Sequence, residues 1–318
     1  MRVGVRRCST PWCTLSGMRI VVALGGNALL RRGDRPDAEP QRRNVLRAAD
    51  ALAPLAQHHE VIVTHGNGPQ VGVLAMESAT DPMLSQPFPL DPLGAETQGL
   101  IGYWLVQGLH NALPGREVVA VLTQCVVDPA DPAFSRPTKF VGPSYDEPAA
   151  RALAAERDWS VAADGAVWRR VVPSPEPREI VEAPSIRRLV EAGVLVVCAG
   201  GGGVPVVRGP EGVLAGVEAV IDKDLTAALL AETLAAEALL LLTDVAAVET
   251  AFGSSDSRPI RSAKPSELRT HGFPAGSMGP KVEAACRFAE RTGGVAAIGA
   301  LTDAVAVLEG TAGTRVVA

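Results

Sequence analysis

Two lysines stand where the sequence could bind a phosphate group. Lys223 lies in Asp222-Lys223-Asp224, at the start of a predicted helix. Lys281 follows Gly276-Ser277-Met278-Gly279-Pro280 and also starts a predicted helix, in which Pro280 suits the first position. A cation there opposes the helix dipole, but a bound phosphate reverses the sign because lysine and dipole attract the same anion. Either lysine alone is compatible with a solvated surface; two beside glycine loops predict an anion site.

Three glycine-rich loops each follow a predicted strand. They read Gly25-Gly26-Asn27, His65-Gly66-Asn67-Gly68-Pro69-Gln70 and Gly200-Gly201-Gly202-Gly203. In open parallel sheets ligands bind beyond the carboxyl ends of the strands, and glycine lets backbone N–H groups converge on an oxyanion. A tight turn alone explains one such loop, whereas three at equivalent strand ends indicate a phosphate site. His65 is either a base or a residue that shapes its loop.

The sequence lacks several common catalytic motifs, which reduces the number of reaction types that it could catalyse. The chain has no GxxxxGK[ST] loop, no GxGxxG after a strand, no HExxH and no GxSxG, and its other histidines lack metal-ligand spacing. Phosphoryl transfer needs aligned reactants and neutralised charge more than covalent help. Lysines, backbone amides and a metal-chelated nucleotide supply both. Asp222 and Asp224 are then expected to hold the lysines in position, and an anionic acceptor requires no catalytic base.

Short runs rich in Val, Ile and Leu alternate with helical patterns along the chain. The predicted strands lie at 19–24, 60–64, 117–123, 194–198, 238–242 and 295–298, and the predicted helices at 38–57, 70–78, 93–111, 225–235 and 281–291. Strands without polar alternation, joined by helices, indicate a mostly parallel sheet covered on both faces. The predicted fold class is therefore α/β.

The composition and the residue pattern of the sequence change between residues 128 and 177. Prolines cluster there, and Asp164-Gly165 reads as the turn of a hairpin with arms at 161–163 and 167–172. We interpret the segment as a small inserted lobe. A flexible linker is the alternative, against which the Trp, Phe and Val residues count.

Composition excludes several classes of protein. Of 318 residues, 47% are hydrophobic, and the net charge is 30 − 35 = −5, so no overall basic field favours nucleic acid or an anionic membrane. The five scattered cysteines include no CxxC pair, which favours a reducing, cytoplasmic compartment. No apolar run reaches a membrane span. Residues 1–17 lack a secretory pattern, and we interpret them as a disordered extension or as preceding the true start at Met18.

Several ordered blocks resemble one family of kinases. They are VVALGGNALL (21–30), THGNGPQVG (64–72), ETQGLIGY (96–103), PTKFVGP (137–143), CAGGGGVPV (198–206), EAVIDKDLTAALLA (218–231) and GSMGPKVEAA (276–285). Together they resemble the amino acid kinase family, and within it the carbamate kinase group, from about Arg19 to the C-terminus. The resemblance implies one domain over 18–318, built as a three-layer αβα sandwich with a mainly parallel sheet and the inserted lobe, and usually dimeric.

The resemblance also implies an activity and a set of site residues. The activity is reversible phosphoryl transfer between ATP and carbamate, in the cytoplasm and commonly in arginine catabolism, with Mg²⁺ carried by the nucleotide and no metal site of the protein's own. The small-molecule substrates would be the ligands, and the partner a second copy of the chain. The implied residues are Lys223, Lys281, Asp224 and Lys139 for catalysis, Gly25, Gly26, Asn27, Gly66 and Asn67 for the substrate, and Gly200, Gly201, Thr243, Asp244, Met278 and Gly279 for the nucleotide.

One segment departs from the family pattern. After Thr243-Asp244 the family usually has an acidic residue and then a tyrosine near the adenine, whereas this chain reads Val245-Ala246-Ala247-Val248-Glu249. Two alternatives therefore stay open beside the kinase of carbamate: a kinase of another small acid in the same family, and a nucleotide-binding sensor without turnover.

Overall fold

The computed structural model of the chain describes residues 17–30, 36–253, 256–274 and 276–318. Apart from Gly17, the predicted N-terminal extension lies outside these residues. The strands are β1 (Arg19–Leu24), β2 (Glu60–His65), β3 (Val118–Ala120), β4 (Gln124–Val127), β5 (Lys139–Tyr145), β6 (Ser160–Asp164), β7 (Val167–Val172), β8 (Pro177–Ile180), β9 (Leu195–Val197), β10 (Val204–Arg208), β11 (Leu214–Gly216), β12 (Ala238–Thr243), β13 (Val248–Thr250), β14 (Arg258–Ile260), β15 (Ser262–Ala263), β16 (Val295–Ala300) and β17 (Thr314–Val316).

Ten α-helices are found in the described part of the chain. They are α1 (Gly26–Leu29), α2 (Ala38–His58), α3 (Gly68–Thr80), α4 (Leu90–Ala112), α5 (Glu147–Arg157), α6 (Ala183–Glu191), α7 (Lys223–Thr233), α8 (Pro265–Leu268), α9 (Met278–Thr292) and α10 (Ala304–Glu309). None of these helices is both long enough and apolar enough to cross a membrane.

An eight-stranded sheet forms the centre of the molecule, in the order β15-β17-β16-β12-β1-β2-β9-β3. All its pairings are parallel except that of β16 with β17. Alternate residues of each strand face opposite apolar clusters: Val21 and Ala23 face the cluster that contains α7 and α9, and Ile20 and Val22 face the one that contains α2 and α4. Because both faces are covered, the strands need apolar residues throughout. The predicted mainly parallel α/β fold is confirmed.

The predicted strand at 117–123 is wrong in extent. Only Val118–Ala120 pairs with β9 in the central sheet, and the chain then enters β4, which belongs to a second sheet of order β11-β10-β4-β8. Apolar residues continue past Ala120 to Leu122, so hydrophobicity alone does not reveal where the strand ends.

The inserted lobe contains more regular structure than the sequence predicted. Its hairpin is confirmed, since β6 and β7 pair antiparallel around the turn at Asp164. A third strand, β5, pairs with β7, and α5 connects β5 to β6. The prolines at 143 and 148 obscured both elements, although Pro148 lies in the first turn of α5, where proline is tolerated.

Candidate active site

Helix α7 begins at Lys223, directly after its N-cap Asp222. The Asp222 Oδ1 accepts hydrogen bonds from the backbone N–H groups of Asp224, at 2.9 Å, and Leu225, at 3.3 Å. This is the usual way in which a side chain satisfies the free amides of a helix start. The cap therefore fixes Lys223 in the first turn, where an ammonium group is unfavourable unless an anion is near.

The Asp224 carboxylate lies between the two lysines that the sequence singled out. Its Oδ1 accepts from Lys223 Nζ at 2.5 Å, and its Oδ2 accepts from Lys281 Nζ at 2.9 Å. All three side chains are mostly buried: the exposed fraction is 4% for Asp224, 11% for Lys223 and 14% for Lys281. The predicted convergence of the two ammonium groups is confirmed.

Burial and charge act in opposite directions on this triad. Burial on its own raises the pKa of Asp224, but the two ammonium groups outweigh it and hold the pKa well below its ordinary value. Burial lowers the pKa of Lys223, and the charge of Lys281 adds to that effect. For Lys281, burial also lowers the pKa, but the Asp224 carboxylate more than offsets it and the pKa is raised. Lys223 is therefore the ammonium group that gives up its proton more readily.

Lys281 lies in the first turn of α9, two residues further from the helix start than expected. The helix begins at Met278, so Pro280 is its third residue and not its first. Proline is acceptable there because the first four N–H groups of a helix have no partner inside it. The Gly279 N–H donates to the Pro274 carbonyl at 2.9 Å. This amide is engaged within the protein.

The first two glycine loops meet at the carboxyl ends of β1 and β2. The Gly25 N–H donates to Leu242 O at 2.8 Å and the Gly66 N–H donates to Leu24 O at 2.9 Å. These two amides continue the sheet and do not point to an anion, which corrects the expectation that both donate to the substrate. Gly66 has a steric role as well: a Cβ at this position would lie 2.9 Å from Gly26 N and 3.3 Å from Lys223 Cε. The absence of a side chain lets Lys223 lie across the loop.

Asn67 occupies the N-cap position of helix α3, but its buried side chain makes no capping hydrogen bond. The Nδ2 donates to Thr97 Oγ1 on α4 at 2.8 Å. The backbone of Asn27 lies in α1, and its side chain is outside the described part of the structure. The start of α3 nevertheless brings a third helix N-terminus near the start of α7, since a Cβ built on Gly66 would lie 3.3 Å from Lys223 Cε. Three positive helix ends therefore face one region.

His65 shapes the loop and is not poised as a base. Its ring is buried, its Nδ1 lies 3.1 Å from Gly66 O, and burial lowers its pKa to about 4. At neutral pH the ring is therefore uncharged. Of the two interpretations open at the sequence level, the geometry favours the loop-shaping one.

Gly200 and Gly201 lie against the second glycine loop, away from Thr243 and Asp244, which were also predicted to bind nucleotide. They follow β9, whereas Thr243 ends β12, and β1 and β2 stand between those two strands. A Cβ on Gly200 would lie 2.4 Å from the His65 ring, and one on Gly201 would lie 2.1 Å from Asn67 Nδ2. This close packing requires glycine at both positions.

Thr243 and Asp244 lie on the Lys281 side of the site. Thr243 Oγ1 donates to Asp244 Oδ1 at 3.1 Å. The charge of Asp244 also raises the pKa of Lys281, after the larger effects of burial, Asp224 and Asp222. The divergent segment that follows is partly core: Ala247 and Val248 are buried, and the Val248 N–H donates to Thr314 Oγ1 at 2.8 Å.

A third lysine reaches the site from the inserted lobe. Lys139, the first residue of β5, donates from Nζ to Asp222 Oδ2 at 2.6 Å. Asp222 was expected to hold Lys223 and Lys281, but its side chain contacts Lys139 and the helix amides. The lobe is also held against α3, where a Cβ on Gly72 would lie 2.6 Å from the backbone of Gly142. Sequence reasoning missed this contact; Gly72 within THGNGPQVG was its only signal.

The arrangement can stabilise negative charge at one point. The ion pairs around the starts of α7 and α9 join three ammonium groups and two carboxylates, which leaves one formal positive charge before Asp244 and the helix dipoles are counted. Neither histidine nor a serine or cysteine nucleophile takes part in these contacts. Such a site suits the transfer of an anionic group better than general acid–base chemistry.

Comparisons with known proteins point to one class of kinases. The model of the amino acid kinase family matches residues 18–298. A carbamate kinase of Rhizobium meliloti (strain 1021) is 53% identical over 301 residues, which cover 93% of this chain and 92% of that protein. Carbamate kinase of Giardia lamblia bound to citric acid superposes with a TM-score of 0.89 at 41% identity, covering 96% of this chain and 99% of the other. The same enzyme bound to AMP-PNP gives a TM-score of 0.87, at the same identity and coverage.

Proposed function

The chain belongs to the amino acid kinase family, and from this premise we propose that it is a carbamate kinase, which transfers a phosphoryl group reversibly between carbamoyl phosphate and ADP. The observation that carries the proposal is the Lys223–Asp224–Lys281 triad at the starts of two helices. The relatives from Rhizobium meliloti and Giardia lamblia, which match more than nine-tenths of the chain at 41% identity or more, are carbamate kinases.

The transfer requires little covalent chemistry from the protein. The bond between the carbamate oxygen and phosphorus breaks while a β-phosphate oxygen of ADP forms the new bond to phosphorus. Carbamate leaves as an anion, so no proton has to move. Lys223 and Lys281 would bind the transferring oxygens and stabilise the charge that they carry in the transition state. Asp224 would keep both ammonium groups protonated and aligned.

The loops around the triad would bind the rest of the substrate. Gly25 and Gly66 would permit close approach of the carbamoyl phosphate, and Gly26, Asn27 and Asn67 would supply contacts to it. On the Lys281 side, Thr243, Asp244, Met278 and Gly279 would flank the nucleotide, as binding of AMP-PNP by the Giardia lamblia relative supports. We leave Gly200 and Gly201 out of the nucleotide group because their packing against His65 and Asn67 accounts for them.

Mg²⁺ would arrive with the nucleotide phosphates, where it would add positive charge to the transferring group. The oxygens of Asp222 and Asp224 already accept from ammonium and amide donors. The phosphates of ADP are therefore the ligands that we propose for the ion.

A homodimer, a cytoplasmic location and a place in arginine catabolism are further expectations from the family. Exposed Leu100 and Tyr103 on α4 and exposed Leu122 beside the edge strand β3 support a contact with a second copy. A monomer-sized species in sedimentation equilibrium would contradict the dimer. Fractionation of the source cells tests the location.

ATP formation from carbamoyl phosphate and ADP, followed by a coupled luminescence assay, tests the proposal. We expect saturable turnover that Lys281→Ala lowers by roughly 10²–10³-fold. Turnover with another acyl phosphate alone would support the kinase of a different acid. Saturable nucleotide binding without ATP would support the sensor. Repeating the assay with GDP and CDP tests base preference, which the divergent segment at 245–249 puts in question.

A further inference from the structure

The carboxylate of Asp222 divides its two oxygens between a helix end and the inserted lobe. Oδ1 accepts the N–H groups of Asp224 and Leu225, and Oδ2 accepts Lys139 Nζ at 2.6 Å. The two halves of this arrangement lie 83 positions apart in the chain. Asp222 thus connects the lobe directly to the helix that carries Lys223.

Helix capping alone does not explain a carboxylate at this position. Asparagine and serine cap helices about as well as aspartate. A second carboxylate also weakens the site, because its charge counteracts the ammonium groups that must bind a phosphate; it acts on both Lys223 and Lys281. The charge of Asp222 is therefore unfavourable for anion binding unless it has another task.

That task follows from the place of Lys139. The lysine belongs to β5, whose pairing partner is β7 of the lobe, at Val172. Its side chain is 34% exposed, against 11% for Asp222. A lysine on an exposed strand has many rotamers of similar energy. An ion pair with a fixed, mostly buried carboxylate selects the rotamers that bring the ammonium group to the start of α7.

We propose that Asp222 is a positioning residue that holds the Lys139 ammonium group over the start of α7, ready for the carbamoyl phosphate. This inference rests on the proposed function. Asp222 does not touch the substrate in this account and acts through Lys139. On binding, the ammonium group moves a short way from Oδ2 to the substrate oxygens, while Oδ1 keeps the helix capped.

Asp222→Asn separates the two tasks, because the amide oxygen still caps α7 whereas the amide nitrogen cannot accept from Lys139. We expect the KM for carbamoyl phosphate to rise roughly two- to fivefold, the effect of a partly exposed ion pair, with less change in the KM for ADP. If Asp222 acted only through its charge, Asp222→Asn would lower the KM for carbamoyl phosphate, since removal of a negative charge strengthens anion binding. A lower KM would thus overturn the proposal.

A double-mutant cycle with Lys139→Met tests whether Asp222 acts through Lys139. In the Lys139→Met background, Asp222→Asn should leave the KM for carbamoyl phosphate unchanged or lower it. Additive increases would show that Asp222 acts by another route. Asp146→Asn is the matched control: Asp146 also caps a helix, by accepting from Ala149 N–H at 2.8 Å, and it has no lysine to position in the contacts described.

A readout without turnover keeps this test separate from that of the proposed function. The chain contains four lysines, Lys139, Lys223, Lys264 and Lys281, so the acylation of each by a small amine reagent can be followed by peptide mass spectrometry. In Asp222→Asn, Lys139 should react roughly two- to fivefold faster relative to exposed Lys264, with the unfolding temperature little changed. Equal rates in both proteins would overturn the proposal even if the wild type makes ATP. An inactive wild type with the expected rates would refute only the proposed function.

Discussion

Replacing Asp224 by asparagine leaves two buried ammonium groups facing an uncharged amide. The new side chain has the same shape, so packing is unchanged and the effect is electrostatic. Lys223 and Lys281, now 2.5 and 2.9 Å from the carboxylate, would repel one another without a counterion between them. The side chains are 11 and 14% exposed, so water screens this repulsion poorly.

The loss of stability in Asp224→Asn cannot exceed the cost of removing the proton from one of the two lysines. The folded variant relieves the repulsion if one lysine becomes neutral, and neutralising an ordinary lysine at pH 7 costs about 5 kcal/mol. Breaking a buried ion pair typically costs about 3–5 kcal/mol. We therefore expect Asp224→Asn to lower the free energy of unfolding at pH 7 by about 3–5 kcal/mol. Lys223 is the group expected to give up its proton, because its pKa is already lowered in the wild type.

The pH dependence of stability gives a more specific signature. In the variant, the folded state has one lysine neutral, whereas the unfolded chain keeps it protonated until about pH 10. The unfolded state then binds one more proton, so the stability of the variant rises with pH by up to about 1.4 kcal/mol per unit between pH 7 and 10. The wild type, with Asp224 paired to both lysines, should show a smaller rise over that range. The difference in stability between the two proteins should shrink as pH increases.

Urea unfolding at several pH values measures both quantities. Asp158→Asn is a suitable control, because it makes the same chemical change at an exposed C-cap with φ 53°, a conformation that asparagine adopts readily. The control should remain within about 0.5 kcal/mol of the wild type. A loss of less than about 1 kcal/mol for Asp224→Asn at pH 7, or a difference from the wild type that stays constant with pH, would refute the charge pairing described for the triad.

Two further predictions concern catalysis. Lys281→Ala should lower kcat by roughly 10²–10³-fold, as loss of a group that stabilises transition-state charge does. It should cost less stability than Asp224→Asn, because Lys223 keeps its partner. Lys264→Ala is the exposed control, and an unchanged kcat in Lys281→Ala would remove Lys281 from the mechanism. Gly72→Ala should lower kcat/KM for carbamoyl phosphate by about tenfold or more, because its Cβ would lie 2.6 Å from the backbone of β5 and push the lobe outward. Gly94→Ala, where a Cβ meets nothing within 4 Å, should have little effect, and equal kinetics in both variants would show that the contact does not set the position of the lobe.

The parts of this structure that could be predicted from sequence are those set by local pattern. The apolar run at 19–24 forms β1 with the predicted bounds. A strand that is apolar on both faces is stable only where both faces are covered, which is the centre of a sheet. The shared site of Lys223 and Lys281 was also predictable, because both lie at helix starts in a sequence with several glycine loops, a combination that favours one bound anion. Pattern failed at 117–123, where the strand of the central sheet already ends at Ala120 and the chain continues toward a second sheet.

The remaining features depend on contacts between distant residues, which local pattern does not encode. Asp222 could be identified as a helix cap, but its pairing with Lys139 depends on how the lobe folds over the sheet. The amides of Gly25 and Gly66 are engaged in sheet hydrogen bonds whose partners depend on strand order. Gly200 and Gly201 likewise acquire their role from the side chains of a neighbouring loop.

The use of lysine in this chain was a signal that motif reasoning missed. The chain has 30 basic residues, of which only four are lysines, and three of those four lie around Asp222 and Asp224. Arginine binds a phosphate through a planar fork with fixed geometry, whereas lysine offers a compact charge that can follow an oxygen as it moves. A transferring phosphoryl group changes position between two oxygens, so the compact charge fits the task. In a chain that otherwise prefers arginine, these three lysines therefore mark the proposed phosphoryl site. The net charge of −5 is no obstacle, because two buried carboxylates hold the lysines in place.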